Sequence, residues 1–159
     1  MHTNLNHMTS TNLQIFKKSI DILNAFTNKI STDMFEFPVA FTVLLFDFKS
    51  EYFKENRKDL PRGYKYVYVN GLKELSSKLR TSEFQVLFLN YDVDAKTVNK
   101  ICAEVNRKFP STKVIIGSKK IDPKQAQIHS RTEFGASGYY EFPLDCARLD
   151  ADLVKLKQG

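Results

Sequence analysis

Phe41-Thr42-Val43-Leu44-Leu45-Phe46-Asp47, residues 41–47, is a nearly unbroken apolar, β-rich run that ends on a carboxylate. A strand with one wet face alternates apolar and polar side chains. One that is apolar at almost every position is buried on both faces, as in a parallel sheet covered by helices. The run therefore predicts a central strand. Outward from it, the chain alternates strand and helix patterns. A short charged helix is expected over 51–58, then a turn at Leu60-Pro61-Arg62-Gly63 and a strand over 64–69. A helix over 72–79 follows, and a strand over 84–89 is bounded by Asn90-Tyr91-Asp92. The next helix, 95–109, carries Val98, Ile101, Cys102 and Val105 on one face. Val114-Ile115-Ile116 is a strand with Gly117-Ser118 at its end. Pro123 opens a helix at its first turn, as proline can, running to near Gly135. A short strand over 138–142 and an amphipathic helix over 144–156 complete the pattern. Five strands alternating with five helices indicate a doubly wound, five-stranded parallel α/β sheet. Sites in such sheets form at the carboxyl ends of the strands, which directs attention to Asp47, Asn90, Ser118 and Phe142-Pro143.

Ahead of the sheet, residues 1–10 read as a polar tail. Thr11-Asn12-Leu13-Gln14 has the form of a capping box, followed by Phe16, Ile20, Leu23 and Phe26 or Ile30 at helical spacing, which predicts a helix over about 12–31. Pro38 leads into the next element. The chain thus divides into a tail and helix at 1–36 and an α/β domain at 37–159. Its 159 residues suit one sizeable core, and 42% hydrophobic with 26% charged residues is ordinary for a soluble globular protein. No apolar run approaches the roughly 20 residues of a membrane-spanning helix, and the polar start lacks the apolar segment of a signal peptide. Cys102 and Cys146 have no metal-ligand or CxxC spacing and are expected to be small buried helix residues. The expected setting is cytoplasmic. The net charge of +6 raises nucleic acid as a partner. However, Lys17-Lys18, Arg57-Lys58, Arg107-Lys108 and Lys119-Lys120 fall on different elements, so a solvated surface is the better reading.

Four segments resemble the receiver domains of response regulators. Gly135-Ala136-Ser137-Gly138-Tyr139-Tyr140-Glu141-Phe142-Pro143 resembles the family's Gly-Ala-x-x-Tyr/Phe-x-x-Lys-Pro segment. Phe46-Asp47-Phe48 resembles the acidic pair after strand one. Phe84 to Asn90 resembles the strand that delivers the phosphoacceptor, and Ile115-Ile116-Gly117-Ser118 the strand-four end with its Ser or Thr. Order and spacing agree over residues 39–157. The resemblance implies a flavodoxin/CheY-like sheet, to which the helix read from the N-terminal pattern, outside the resemblance, is an extra element.

It also implies a pocket that has lost its chemistry. Asn90 stands at the phosphoacceptor position, and an amide is neither a nucleophile toward phosphorus nor a charged metal ligand. Phe142 replaces the family's lysine, and Phe46 the first acidic residue, leaving Asp47 alone. Phosphoryl transfer depends on neutralising charge at the transferring oxygens, so a pseudo-receiver without catalysis, metal or cofactor is expected. The Phe46 and Phe142 rings are expected to pack together where metal and phosphate would lie. Asn90 can equally bond turn backbone, Asp47 can cap the next helix, and Asp92 and Asp94 are expected to cap or be solvated. Ser118 and Tyr139 match the family's switch pair, although a static tyrosine with a wet hydroxyl is the simpler expectation.

The remaining candidates are weaker. His2, His7 and His129 form no metal set, and Asp47-Phe48-Lys49-Ser50 lacks the glycines of a phosphate loop. The leading expectation is a phosphorylation-independent signalling module that binds a protein partner, or a second copy, through the face built by helix 4, strand 5 and helix 5. Lys119, Lys120 and Lys124 lie on that side. The alternatives are the regulatory half of a DNA-binding transcription regulator, and a small flavodoxin-like cofactor-binding enzyme. The chain stops after the last helix, so an output domain is not expected to follow. The apolar face of the N-terminal helix is expected to pack on its own domain or to dimerise.

Overall fold

The computed structural model describes residues 14, 15, 17–24 and 40–159. Chain contacts divide it into two compact units, Met1–Val39 and Ala40–Gly159. In the first, residues 14, 15 and 17–24 are helical. The expected tail, the Thr11 cap and the approach through Pro38 lie outside the described residues.

The second unit is a parallel sheet of β1 (Thr42–Phe46), β2 (Lys65–Val69), β3 (Val86–Asn90), β4 (Lys113–Ser118) and β5 (Gly138–Glu141), in the order β2-β1-β3-β4-β5. Between and after the strands run α1 (Tyr52–Glu55), α2 (Leu72–Thr81), α3 (Ala95–Lys108), α4 (Pro123–Ser130) and α5 (Cys146–Gln158). The helix expected over 51–58 is split. Asn56 ends α1, and Arg57–Asp59 form a separate 3-10 turn. The helix expected to reach Gly135 stops at Ser130, where Arg131 donates its N–H to the Ile128 carbonyl and Thr132 to that of His129.

Every residue of β1 and β3 is buried, as continuous apolar strands require. Because side chains alternate across a strand, the sheet sorts its residues by parity. Leu44, Phe46, Leu87, Leu89, Val114 and Ile116 face α2 and α3, packing with Leu75, Leu79, Val98, Cys102 and Val105. Val43, Leu45, Val86, Phe88, Ile115, Tyr140 and Phe142 face α1 and α5, packing with Phe53, Leu149 and Leu153.

The helices are held by caps and by tyrosines. Asp94 accepts from Thr97 N–H and Oγ at the start of α3, and Asp145 from Arg148 N–H at the start of α5. Tyr64 donates to Asp150 at 2.9 Å and Tyr140 to Asp152 at 2.7 Å, fastening α5 to the sheet. Burial pushes the Tyr140 phenol up. The Tyr140 bond, with smaller help from Lys155, holds the Asp152 carboxyl low. Cys102 is buried and its thiol is pushed up to about 12 by desolvation. Cys146, expected to be buried, is exposed, because it is the first residue of α5, a turn ahead of Leu149, where the buried residues of that helix begin.

Phe53 is the only buried residue of the single-turn α1 and touches Phe88 at 4.7 Å between ring centroids. Phe53→Ala is expected to lower unfolding free energy by about 3–5 kcal/mol in urea titration, the range for emptying a buried aromatic site.

Candidate functional site

Parallel register brings the ends of β1, β3 and β4 level, with Phe46 opposite Leu89 and Asn90 opposite Gly117. Beyond them Asp47, 5% exposed, accepts the Asn90 Nδ2 amide at 2.8 Å through one oxygen. Its other oxygen accepts the Phe53 N–H at 2.9 Å. Asp47 therefore caps α1 from a distance, since Glu51 at the N-cap makes no side-chain capping bond. Asn90 also accepts from the Asp92 N–H at 3.1 Å, so its amide serves both a buried carboxylate and the turn backbone.

Phe142 lies on the same side of the sheet. Its ring stacks on Tyr52 at 3.9 Å and 28°, and meets Phe53 edge-on at 5.9 Å. Only a glycine at position 117 leaves room for it. A Cβ there would stand 2.4 Å from Phe142 Cζ and 2.9 Å from Phe88 Cε2. The expected pairing of Phe142 with Phe46 does not occur. Parity sends Phe46 to the opposite face of the sheet, where it stacks with Phe48 at 5.9 Å and 18°. The aromatic that meets Phe142 is Tyr52, which sequence reasoning missed. Its signal was present, an aromatic in the first turn of the helix that follows Asp47.

The donors do not suit a divalent cation. Asp47 is the one carboxylate at the buried centre, both its oxygens are engaged by N–H groups, and Phe46 points away. Among the described residues no group of three or more His, Cys, Asp or Glu is placed to hold a metal.

Ser118 and Tyr139 share the parity of Ile116, on the α2 and α3 side. Ser118 Oγ donates to Asp92 Oδ1 at 2.5 Å, and Asp92 Oδ2 accepts the Lys119 N–H at 2.8 Å. Asp92 was expected to cap or be solvated; instead it bridges the ends of β3 and β4 and occupies the Ser118 hydroxyl. Asp94 does cap α3. The Tyr139 hydroxyl, expected to be wet, has partners within the protein. It bonds His129 Nδ1 at 2.7 Å and accepts the Ala136 N–H at 3.1 Å. His129, which looked like an isolated imidazole, is also bonded through Nε2 to Asn99 Oδ1 at 2.8 Å. No local signal in the sequence joins positions 99, 129 and 139.

No protein-family model and no curated protein matches the sequence. Solved structures do match in fold. A response regulator from Thermotoga maritima aligns over 76% of this chain and 100% of its own, at 22% identity and a TM-score of 0.63. The signal receiver domain of an HD domain-containing protein from Pseudomonas fluorescens covers 75% of this chain and 95% of its own, at 18% identity and 0.62. An orphan response regulator of H. pylori covers 73% and 99%, at 18% identity and 0.55. The fold of this chain is the CheY-like receiver fold.

Two substitutions test the geometry. Gly117→Ala is expected to destabilise by about 1–3 kcal/mol through overpacking against Phe142. Asn90→Asp sets a second carboxyl against Asp47, so the pair shares a proton and one folded-state pKa rises. The unfolded group ionises near its ordinary value of about 3.9, so this variant loses stability as pH rises above that value. The loss is roughly 1.4 kcal/mol for each tenfold gain in the folded carboxyl's proton affinity, read from urea midpoints at pH 5 and pH 7.

Proposed function

We propose that this chain is a phosphorylation-independent signalling module of receiver fold that regulates by binding another protein and performs no catalysis. One observation carries the reading. At the carboxyl ends of β1, β3 and β4 an Asn90–Asp47 bond and a Phe142–Tyr52 stack over Gly117 stand in the matching positions of a phosphoacceptor, metal and lysine. An amide with a neutral aromatic pair supplies neither nucleophile nor countercharge.

The partner surface proposed is the face of α4, β5 and α5. The helix α4 has no buried residue, and its Ile128 is 60% exposed. Lys119, Lys120, Lys124 and Arg131 lie on α4 or within four residues of its ends in the chain, all exposed. Such a surface suits a protein that presents apolar side chains beside acidic ones. The 13% identical aligned structure of a pilus assembly-related protein from Burkholderia pseudomallei has the same fold under a different description, so the fold by itself does not select the partner.

The test is spectroscopic. Beryllofluoride with Mg²⁺ is expected to leave the amide NMR signals of Asp47, Asn90, Ser118 and Tyr139 unmoved at pH 7.5, and acetyl phosphate to leave no phosphoryl adduct by mass spectrometry. A saturable response at Ser118 and Tyr139 would overturn the reading. Lysine-directed cross-linking of the whole chain in cell extract is expected to join Lys119, Lys120 or Lys124 to the partner; cross-links confined to α2 would move the interface elsewhere.

A further inference from the structure

Packing does little to hold α4. None of its residues is buried; Asp122 caps it, and His129 ties it to the neighbouring elements. At its start Asp122 accepts the Lys124 and Gln125 N–H groups at 2.9 and 3.4 Å. Near its end the half-buried His129 reaches inward between α3 and β5. The ring is wedged among Phe134 at 5.1 Å, Tyr139 at 5.7 Å and Tyr91 at 5.9 Å.

The hydrogen bonds around it close in one arrangement. With the Asn99 Oδ1 turned toward the ring, where it can only accept, His129 Nε2 carries the proton and Nδ1 is bare. The bare nitrogen accepts the Tyr139 O–H, and the Tyr139 oxygen in turn accepts the Ala136 N–H. Protonating Nδ1 breaks the chain. Two N–H groups then point at the Tyr139 oxygen, and its hydroxyl proton has lost its acceptor, a costly state for a part-buried group. Beside the clasp lies a cavity of about 350 Å³, lined by Ile116, Ile121, Ala126, Phe134 and Tyr139. It gives the ring and the helix somewhere to go.

We propose that His129 is a positioning residue that holds Tyr139 inward while its imidazole is neutral, and that protonation releases the ring and shifts α4. This rests on the proposed reading of the chain as a signalling module that works without phosphate. It replaces a phosphoryl input with an imidazole proton.

The surroundings favour the neutral ring. The titratable groups that face the clasp are Tyr139 from β5, Tyr91 from the loop after β3, and Cys102 of α3 beside Tyr139. Arg148 of α5 donates to the Tyr139 carbonyl at 3.3 Å. Lys96, Lys100 and Glu133 line the surface cleft that Asn99 and Phe134 share, and Lys120 and Asp122 line the cavity. Burial holds the His129 pKa below its ordinary value. The unfolded imidazole protonates near about 6.5 and the folded one at lower pH. This group's contribution to stability is therefore complete above about 6.5 and declines as pH falls toward the folded value.

The experiment is an NMR titration of the full chain from pH 8 to pH 5. Imidazole ¹⁵N shifts should show the Nε2–H form at the alkaline end. His129 should then titrate with a midpoint below about 6.5, and the Tyr139 ring and the amides of residues 126–132 should move with that same midpoint. His129→Gln keeps a neutral acceptor and donor, and should leave Tyr139 insensitive to pH. Tyr139→Phe should raise the His129 midpoint, and it serves as the second variant if the glutamine form does not fold. The proposal is overturned if His129 titrates while Tyr139 stays still, or if the Nδ1–H tautomer is found. A beryllofluoride response at pH 7.5 would sink the phosphate-independent reading separately, because that measurement is made with the imidazole neutral.

Discussion

The Asp47 carboxylate is buried among apolar strands and must have both oxygens satisfied. A carboxylate without partners in such a place costs several kcal/mol. Here one oxygen takes the Asn90 amide and the other the Phe53 N–H. That pair of bonds ties β1 to β3 and sets the first turn of α1. Once α1 is placed, Tyr52 and Phe53 are placed with it, and they form the wall that Phe142 packs against. Gly117 completes the wall by having no side chain. The centre of this fold is thus closed by one satisfied charge and three aromatic rings.

The two sides of the sheet divide the labour. On the α1 and α5 side, Asp47 is bonded to Asn90 and Phe142 is stacked on Tyr52. On the other side, Ser118 is bonded by Asp92 and Tyr139 by His129, and α4 beside them is the one helix of the α/β unit longer than a single turn in which no residue is buried. A segment held by a few polar contacts over a cavity opens at lower free energy than one packed into the core. The partner surface proposed above includes α4 and β5, where few contacts must change.

The continuous apolar run at 41–46, the short strands at regular intervals and the helical stripes between them were legible because each is a local pattern set by burial on one or two faces. The face of α3 read from Val98, Ile101, Cys102 and Val105 is the buried face observed. Boundaries were less legible where a turn competes with a helix, as at Asn56 and after Ser130. Phe46 and Phe142 were matched as rings without regard to parity, and alternation across the strand placed them on opposite faces.

The residue types along 41–159 by themselves determined a parallel α/β sheet, the order of its elements and the uncharged side chains at Asn90 and Phe142, since these follow from local periodicity and side-chain chemistry. Which groups meet was decided only by the tertiary structure. Tyr52 against Phe142, Asp92 against Ser118, and His129 between Asn99 and Tyr139 join positions from 10 to 90 residues apart. Their meeting depends on strand register and helix placement, which are settled by the packing of the whole core and leave no mark on any short stretch of chain.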